Sequence, residues 1–152
     1  MTGPTPDDEN PPPAGVTAED ALRVANESVP GTVMQKLGME FLEVGLARIR
    51  ARVPVAGNTQ PYGLLHGGVT ATLCESVGSF GTAVHAGLDR LVTGIELNLN
   101  HLRAVSDGHV TATGTPIHVG RTTAVWDFRV HDDEGRLTAV GRLTVLIRDR
   151  TS

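Results

Sequence analysis

Residues Gln60 to Ser79 read QPYGLLHGGVTATLCESVGS, and this stretch decides the fold. It opens with loop-forming residues. The triplet His66, Gly67 and Gly68 then begins a helical pattern with one carboxylate, Glu75. Apolar residues recur at spacings of three and four, the period of a buried helical stripe: Val69, Leu73, Val77, Phe80 and Val84. The stretch therefore predicts a helix buried along one side and bearing an acid on another.

The predicted helix covers residues 67–86 and ends at Gly87. Beside Glu75 it carries small residues: Ala71, Thr72, Gly78 and Ser79. Ser79 shares a helix face with Glu75 because the two are four positions apart. We therefore expect this face to lie close to a ligand or to another chain.

Length and charge restrict the class of protein. The 152 residues suit one domain with a real core. The formal charge is -4 and the sequence pI is about 5.8, so no general attraction to nucleic acid is expected. One Trp, one Tyr and three Phe offer few surfaces for stacking unpaired bases.

Cysteine and hydropathy give an expected location. The single cysteine, Cys74, excludes an internal disulfide and is compatible with a reducing compartment. No leader pattern and no run of about eighteen apolar residues is present, so neither export nor a membrane span is indicated. We expect a cytoplasmic protein. Cys74 lies about a hundred degrees around the helix from Glu75, and we interpret it as a buried, inert thiol.

The rest of the chain divides into a tail, a short helix and strands. Residues 1–16 are rich in proline and acids, which predicts a disordered tail before a domain over residues 17–150. Thr17 and Asp20 form a capping-box pattern for a helix over residues 18–29. Alternating patterns predict strands over these ranges: 39–44, 47–55, 91–102, 109–119, 122–131 and 137–147.

This order predicts an α+β fold in which an antiparallel sheet of about six strands curls around one long helix. Such a sheet leaves an edge or a face to cover. Pairing two copies would cover it, so we expect at least a dimer. Whether two dimers associate into a tetramer stays open.

The motifs resemble those of a known family. Leu65 to Gly68 (LHGG) at the helix start with Glu75 two turns later, and the later stretches TGIELNLNHLRAVSDGHV and PIHVGRTTAVWDFRV, resemble the hotdog-fold thioesterases. The branch is the phenylacetate-pathway (PaaI-like) one, with particular similarity to enterobactin-synthesis proofreading thioesterases. The resemblance covers roughly residues 39–147. Ala104 departs from it, because relatives often carry proline there, and we expect this to affect the strand end more than the chemistry.

The resemblance implies catalytic roles for four residues. Glu75 acts as nucleophile or general base on an acyl thioester, and the Gly67 N–H polarises the thioester carbonyl. His66 hydrogen-bonds near the thioester, and Gln60 orients carbonyl or water from the facing subunit. A helix N-terminus presents unpaired N–H groups, so a role for Gly67 also has physical sense.

Substrate contacts are expected around these residues. By resemblance, Ser79 and His101 contact the substrate, and Gly68 adjoins it at the helix start. His101 falls in phase with Ile95, Leu97 and Leu99 if their strand is regular. Arg103 and Arg121 are candidates for the phosphates of coenzyme A. His85, His109, His118 and His131 show no ligand spacing, and we expect neither a metal nor another cofactor.

The resemblance thus implies an acyl-CoA thioesterase acting at a dimer interface. Two alternatives stay open: a hotdog dehydratase or hydratase acting on acyl thioesters, and a non-catalytic acyl-CoA-binding protein. The acyl group, the choice between coenzyme A and a carrier protein, and the role of Glu75 as nucleophile or base also stay open.

Overall fold

The structure, a computed structural model, describes residues 17–150. The elements are α1 (Ala18–Glu27), α2 (Val33–Lys36), β1 (Glu40–Val44), β2 (Ile49–Pro54), α3 (Gly67–Ala86), β3 (Leu91–His101), β4 (His109–Val119), β5 (Thr123–Asp132) and β6 (Leu137–Arg148). The tail predicted over residues 1–16 lies outside the described residues.

Six antiparallel strands form one sheet in the order β1-β2-β4-β5-β6-β3. The predicted α+β architecture is confirmed, with α3 packed against the sheet. Although β3 follows α3 directly in sequence, β6 is its one strand partner among the described residues. The eleven residues of β3 therefore form an edge strand with one unpaired side.

The N-terminal segment differs from the prediction in two places. The predicted capping box is present, since Thr17 Oγ1 accepts from the Asp20 N–H at 3.1 Å. The first difference is that α1 ends at Glu27, two residues before the predicted end. The short helix α2 was not predicted. Thr32 caps it by accepting from the Met34 N–H at 3.2 Å, and four residues are too few to show a helical period.

Two glycines bring α3 close to the sheet. A Cβ built on Gly78 would lie 2.6 Å from Leu143 Cδ2 and 2.9 Å from Phe128 Cζ, and one built on Gly81 would lie 2.5 Å from the Trp126 ring. Gly78 therefore faces the sheet of its own chain. Its predicted place on the ligand-facing side of the helix was wrong, because helix period puts it on the buried face with Cys74.

The predicted apolar stripe of α3 is partly confirmed. Val69, Leu73 and Val77 are buried, whereas Phe80 and Val84 are half-buried. Those two point toward α1 and line a separate apolar cavity of about 200 Å³. The helix ends at Gly87, as predicted, where φ is 100°.

A β-bulge interrupts β3. The register with β6 shifts between Gly94 and Glu96, so Ile95 is the extra residue, and it is 57% exposed. The predicted common phase of Ile95 with Leu97, Leu99 and His101 was therefore wrong for Ile95.

Among the helices of residues 17–150, none has the length and hydropathy needed to span a membrane.

One buried hydrogen bond ties α3 to β5 and yields a stability prediction. Trp126 Nε1 donates to Thr82 Oγ1 at 2.9 Å, and both residues are fully buried. Thr82→Val keeps the shape but leaves the indole N–H without an acceptor, so we expect the free energy of unfolding to fall by about 1–3 kcal/mol. Chemical denaturation measures this loss. Thr115→Val on the exposed side of β4 is the control, and equal stability of both variants would contradict the expectation.

Candidate active site

The loop before α3 is held by a buried amide that the sequence did not single out. Asn58 is 8% exposed, and its Nδ2 donates to the carbonyls of Leu37 at 2.8 Å and Pro54 at 2.9 Å. The Asn58 carbonyl accepts from the His66 N–H at 2.9 Å. Because these bonds fix the residue just before α3, they fix where the helix begins. In sequence, nothing distinguishes Asn58 from an ordinary loop residue.

His66 caps α3. Its Nδ1 accepts from the Gly68 N–H at 2.9 Å, so a neutral ring carries its proton on Nε2. This bond occupies the Gly68 N–H. Of the two glycine N–H groups at the helix start, the one left available to a ligand is therefore that of Gly67, for which we find no acceptor within residues 17–150.

Gly67 lies against His101 at the end of β3. A Cβ built on Gly67 would lie 3.0 Å from His101 Nε2, so the missing side chain lets the ring approach the helix start. The contact puts a ring nitrogen and an unpaired helix N–H side by side. A helix-start N–H, together with a ring nitrogen in the tautomer that carries its proton there, suits a developing negative charge on a carbonyl oxygen.

A cleft of about 350 Å³ brings four of the predicted site residues together: Gln60, Gly67, His101 and Arg103. Ala104, Thr70 and Thr138 also line it. Among the lining residues within 17–150, Arg103 is the one arginine or lysine, and there is no carboxylate. The cleft therefore favours an anionic or a polar neutral ligand.

Glu75 lies outside this cleft. It is half-buried, its carboxylate lies against Gly94 of β3, and no hydrogen bond or ion pair to it is found within residues 17–150. It follows Gly67 on α3 by eight residues, which correspond to about 12 Å along the helix axis. A single chain thus keeps its acid away from its helix-start N–H.

The other predicted contacts are spread along the molecule. Ser79 is half-buried one turn beyond Glu75. Arg121 is exposed in the turn between β4 and β5, whose Thr122 carbonyl accepts from the Ile147 N–H at 2.8 Å. Ile147 pairs with Val92, so Arg121 lies at the opposite end of β3 from His101. The structure therefore does not bring Arg121 or Ser79 to the cleft of the same chain.

No group of three or more His, Cys, Asp or Glu side chains suited to a metal ion is found in the described part of the chain. His85, one of the scattered histidines, contacts its own fold: its Nε2 lies 2.9 Å from the Leu46 carbonyl, and its ring packs edge-on against Trp126.

Comparison with known proteins decides the family. A family model described as the thioesterase superfamily matches residues 62–139, which include the helix start, Glu75 and β3 to β5. The chain belongs to the thioesterase superfamily. As a member of this superfamily with a hotdog fold, it is a thioester hydrolase, and the predicted resemblance is confirmed.

The chain is similar in sequence and structure to individual thioesterases. The chain is 35% identical over 127 residues to the proofreading thioesterase EntH of Cronobacter turicensis, covering 83% of this chain and 93% of the relative. Identity and coverage are the same for the 1,4-dihydroxy-2-naphthoyl-CoA hydrolase of Escherichia coli. A thioesterase crystal structure from Haemophilus influenzae superposes with a TM-score of 0.82 at 36% identity, covering 86% of this chain and 92% of that one.

The burial of Cys74 predicts that its thiol is not the nucleophile. It is fully buried, and burial raises the pKa of its thiol to about 12. At pH 8 only about one thiol in 10⁴ would be ionised. We expect Ellman's reagent to leave the native protein unmodified and to titrate the thiol once guanidinium unfolds the chain. Cys74→Ala should keep the thioesterase kcat, and rapid labelling of the native protein with loss of activity would contradict this.

Proposed function

We propose that this thioesterase hydrolyses acyl-CoA thioesters, with the Gly67 N–H binding the carbonyl oxygen and Glu75 acting as nucleophile or general base. The observation that carries the proposal is the open N–H at the capped start of α3, in a cleft shared with Gln60 and His101. Negative charge develops on the carbonyl oxygen when a thioester is attacked, and a preoriented N–H stabilises it. Gln60 and the His66 ring adjoin this position, and within residues 17–150 no partner for the His66 Nε2 is found.

Glu75 gives the same products as general base or as nucleophile. As general base, Glu75 removes a proton from water while the water oxygen bonds to the carbonyl carbon. The tetrahedral intermediate then expels the thiolate, which regains a proton, and the products are a carboxylic acid and a thiol. As nucleophile, the carboxylate attacks the carbonyl carbon and expels the thiolate, which regains a proton. Water then hydrolyses the resulting anhydride to the carboxylic acid and the free Glu75 carboxylate.

In this proposal a second copy of the chain brings a Glu75 carboxylate close to the Gly67 N–H. Gly67 lies at the His101 end of β3 and Glu75 lies at Gly94 of the same strand. If two copies pair their β3 edges antiparallel, the His101 end of one strand runs beside the Leu91 half of the other. Glu75 of one copy then approaches the Gly67 cleft of the other, so we propose at least a homodimer, compatible with a tetramer of two dimers.

The same pairing suggests how the carrier is held. Arg103 lies at the cleft, and Arg121 lies at the opposite end of β3, so antiparallel pairing brings Arg103 of one copy toward Arg121 of the other. Guanidinium groups bind phosphate oxygens in pairs. We propose that they contact phosphates of coenzyme A or of the phosphopantetheine arm of a carrier protein, while Ser79 and Gly68 adjoin the acyl part.

The test is thiol release from a panel of aliphatic and aromatic acyl-CoAs. Removing a catalytic acid–base group costs about 10²–10⁴ in rate, so we expect Glu75→Gln to lower kcat by that factor. Glu96→Gln is the matched control, because Glu96 is an exposed carboxylate on β3, and it should keep the original rate. Equal rates for both variants, or acyl-CoA binding without turnover by the unmodified chain, would contradict the proposal.

A further inference from the structure

Gly94 of β3 occupies the position against which the Glu75 carboxylate rests. A Cβ built on Gly94 would overlap Glu75 Oε1 and lie 3.0 Å from Glu75 Cδ. Its remaining near neighbour would be Leu143 Cδ1 at 3.4 Å. Any side chain at this position would therefore take the space that the carboxylate now fills.

The β-bulge makes this contact possible. Gly94 pairs with Val145 and Glu96 pairs with Thr144, which leaves Ile95 as the extra residue. Leu97, after the bulge, packs against the core, and Gly94, before it, faces Glu75. If Ile95 instead took a regular strand position with no bulge, strand alternation would turn Glu96 toward α3, on the same side as Gly94. The bulge thus puts a glycine beside Glu75 and keeps a second carboxylate out.

Shape is what restrains the acid. Within residues 17–150 no donor hydrogen-bonds the Glu75 carboxylate and no cation pairs with it. The contact with the bare backbone of Gly94 is therefore the restraint on where its oxygens lie.

We propose that Gly94 is a positioning residue for Glu75: the missing side chain and the adjoining bulge form the recess that fixes the catalytic carboxylate. This inference rests on the proposed function of Glu75. Gly94 touches no substrate in this account. It acts through the acid alone, so its loss should slow the chemical step and leave substrate binding nearly unchanged.

The experiment compares Gly94→Ala in two backgrounds. A misplacement of about 1 Å in a reacting group costs on the order of 10² in rate, so we expect Gly94→Ala to lower kcat for the best acyl-CoA by about that factor with KM nearly unchanged. Glu75→Asp withdraws the carboxylate by one C–C bond, about 1.5 Å, and vacates the recess. In the Glu75→Asp background we therefore expect Gly94→Ala to have little further effect on kcat.

Gly45→Ala is the control glycine substitution. There an added methyl would meet only the Arg48 carbonyl oxygen, at 3.5 Å. Gly45 follows β1, at the opposite edge of the sheet from β3, so kcat should not change. Thermal unfolding of every variant separates misfolding from mispositioning. If Gly94→Ala alone fails to fold, the double variant with Glu75→Asp must fold, because the overlap has been relieved.

Three results distinguish the claims. A kcat for Gly94→Ala equal to that of Gly45→Ala overturns the positioning role. The same fold-loss in the Glu75 and Glu75→Asp backgrounds, or a double variant that also fails to fold, assigns Gly94 a structural role and overturns it as well. Full activity of Glu75→Gln contradicts the proposed function itself, whatever the kcat of Gly94→Ala.

Discussion

Close contact between α3 and the sheet is the constraint on which the rest of this structure depends. Gly78 and Gly81 have no side chains, so the helix backbone packs directly on Trp126, Phe128 and Leu143. Large side chains at either glycine would push the helix off the sheet by the width of a methyl group or more. The hydrogen bond from Trp126 to Thr82 then adds a directional restraint to a contact that is otherwise apolar.

The site inherits its geometry from this contact. Because the helix is seated at its middle, its start is held where Asn58 and His66 can fix it, and Gly67 meets His101 at one end of β3. Glu75, two turns later, meets the same strand at Gly94. The two groups proposed to act on one carbonyl are thus spaced along an edge strand, and an edge strand is the element that a second copy can pair with.

The sequence predicted the elements that depend on periodicity. Alternation over long runs indicated the strands, because this signal is local. The capping box indicated the start of α1, and Gly87 indicated the end of α3, whereas the end of α1 was predicted two residues too late. Gly78 was placed on the wrong side, although helix period puts it on the same face as Cys74, which the sequence already indicated as buried. The bulge at Ile95 depends on register with β6, and the role of Asn58 depends on carbonyls as distant in sequence as Leu37. The isolated glycine in the β3 pattern was the one local signal for the bulge.

The central claim is that Gly67 of one copy and Glu75 of the other share a site, and mixed dimers test it most directly. Gly67→Pro removes the N–H and crowds His101, at a position where proline suits a helix, and Glu75→Gln removes the acid. The two variants, each inactive alone, are co-expressed with different tags and purified as the mixed dimer. A site shared between copies gives about half of the unmodified activity, because one of the two sites is intact. Activity no higher than that of the parent variants would contradict the claim.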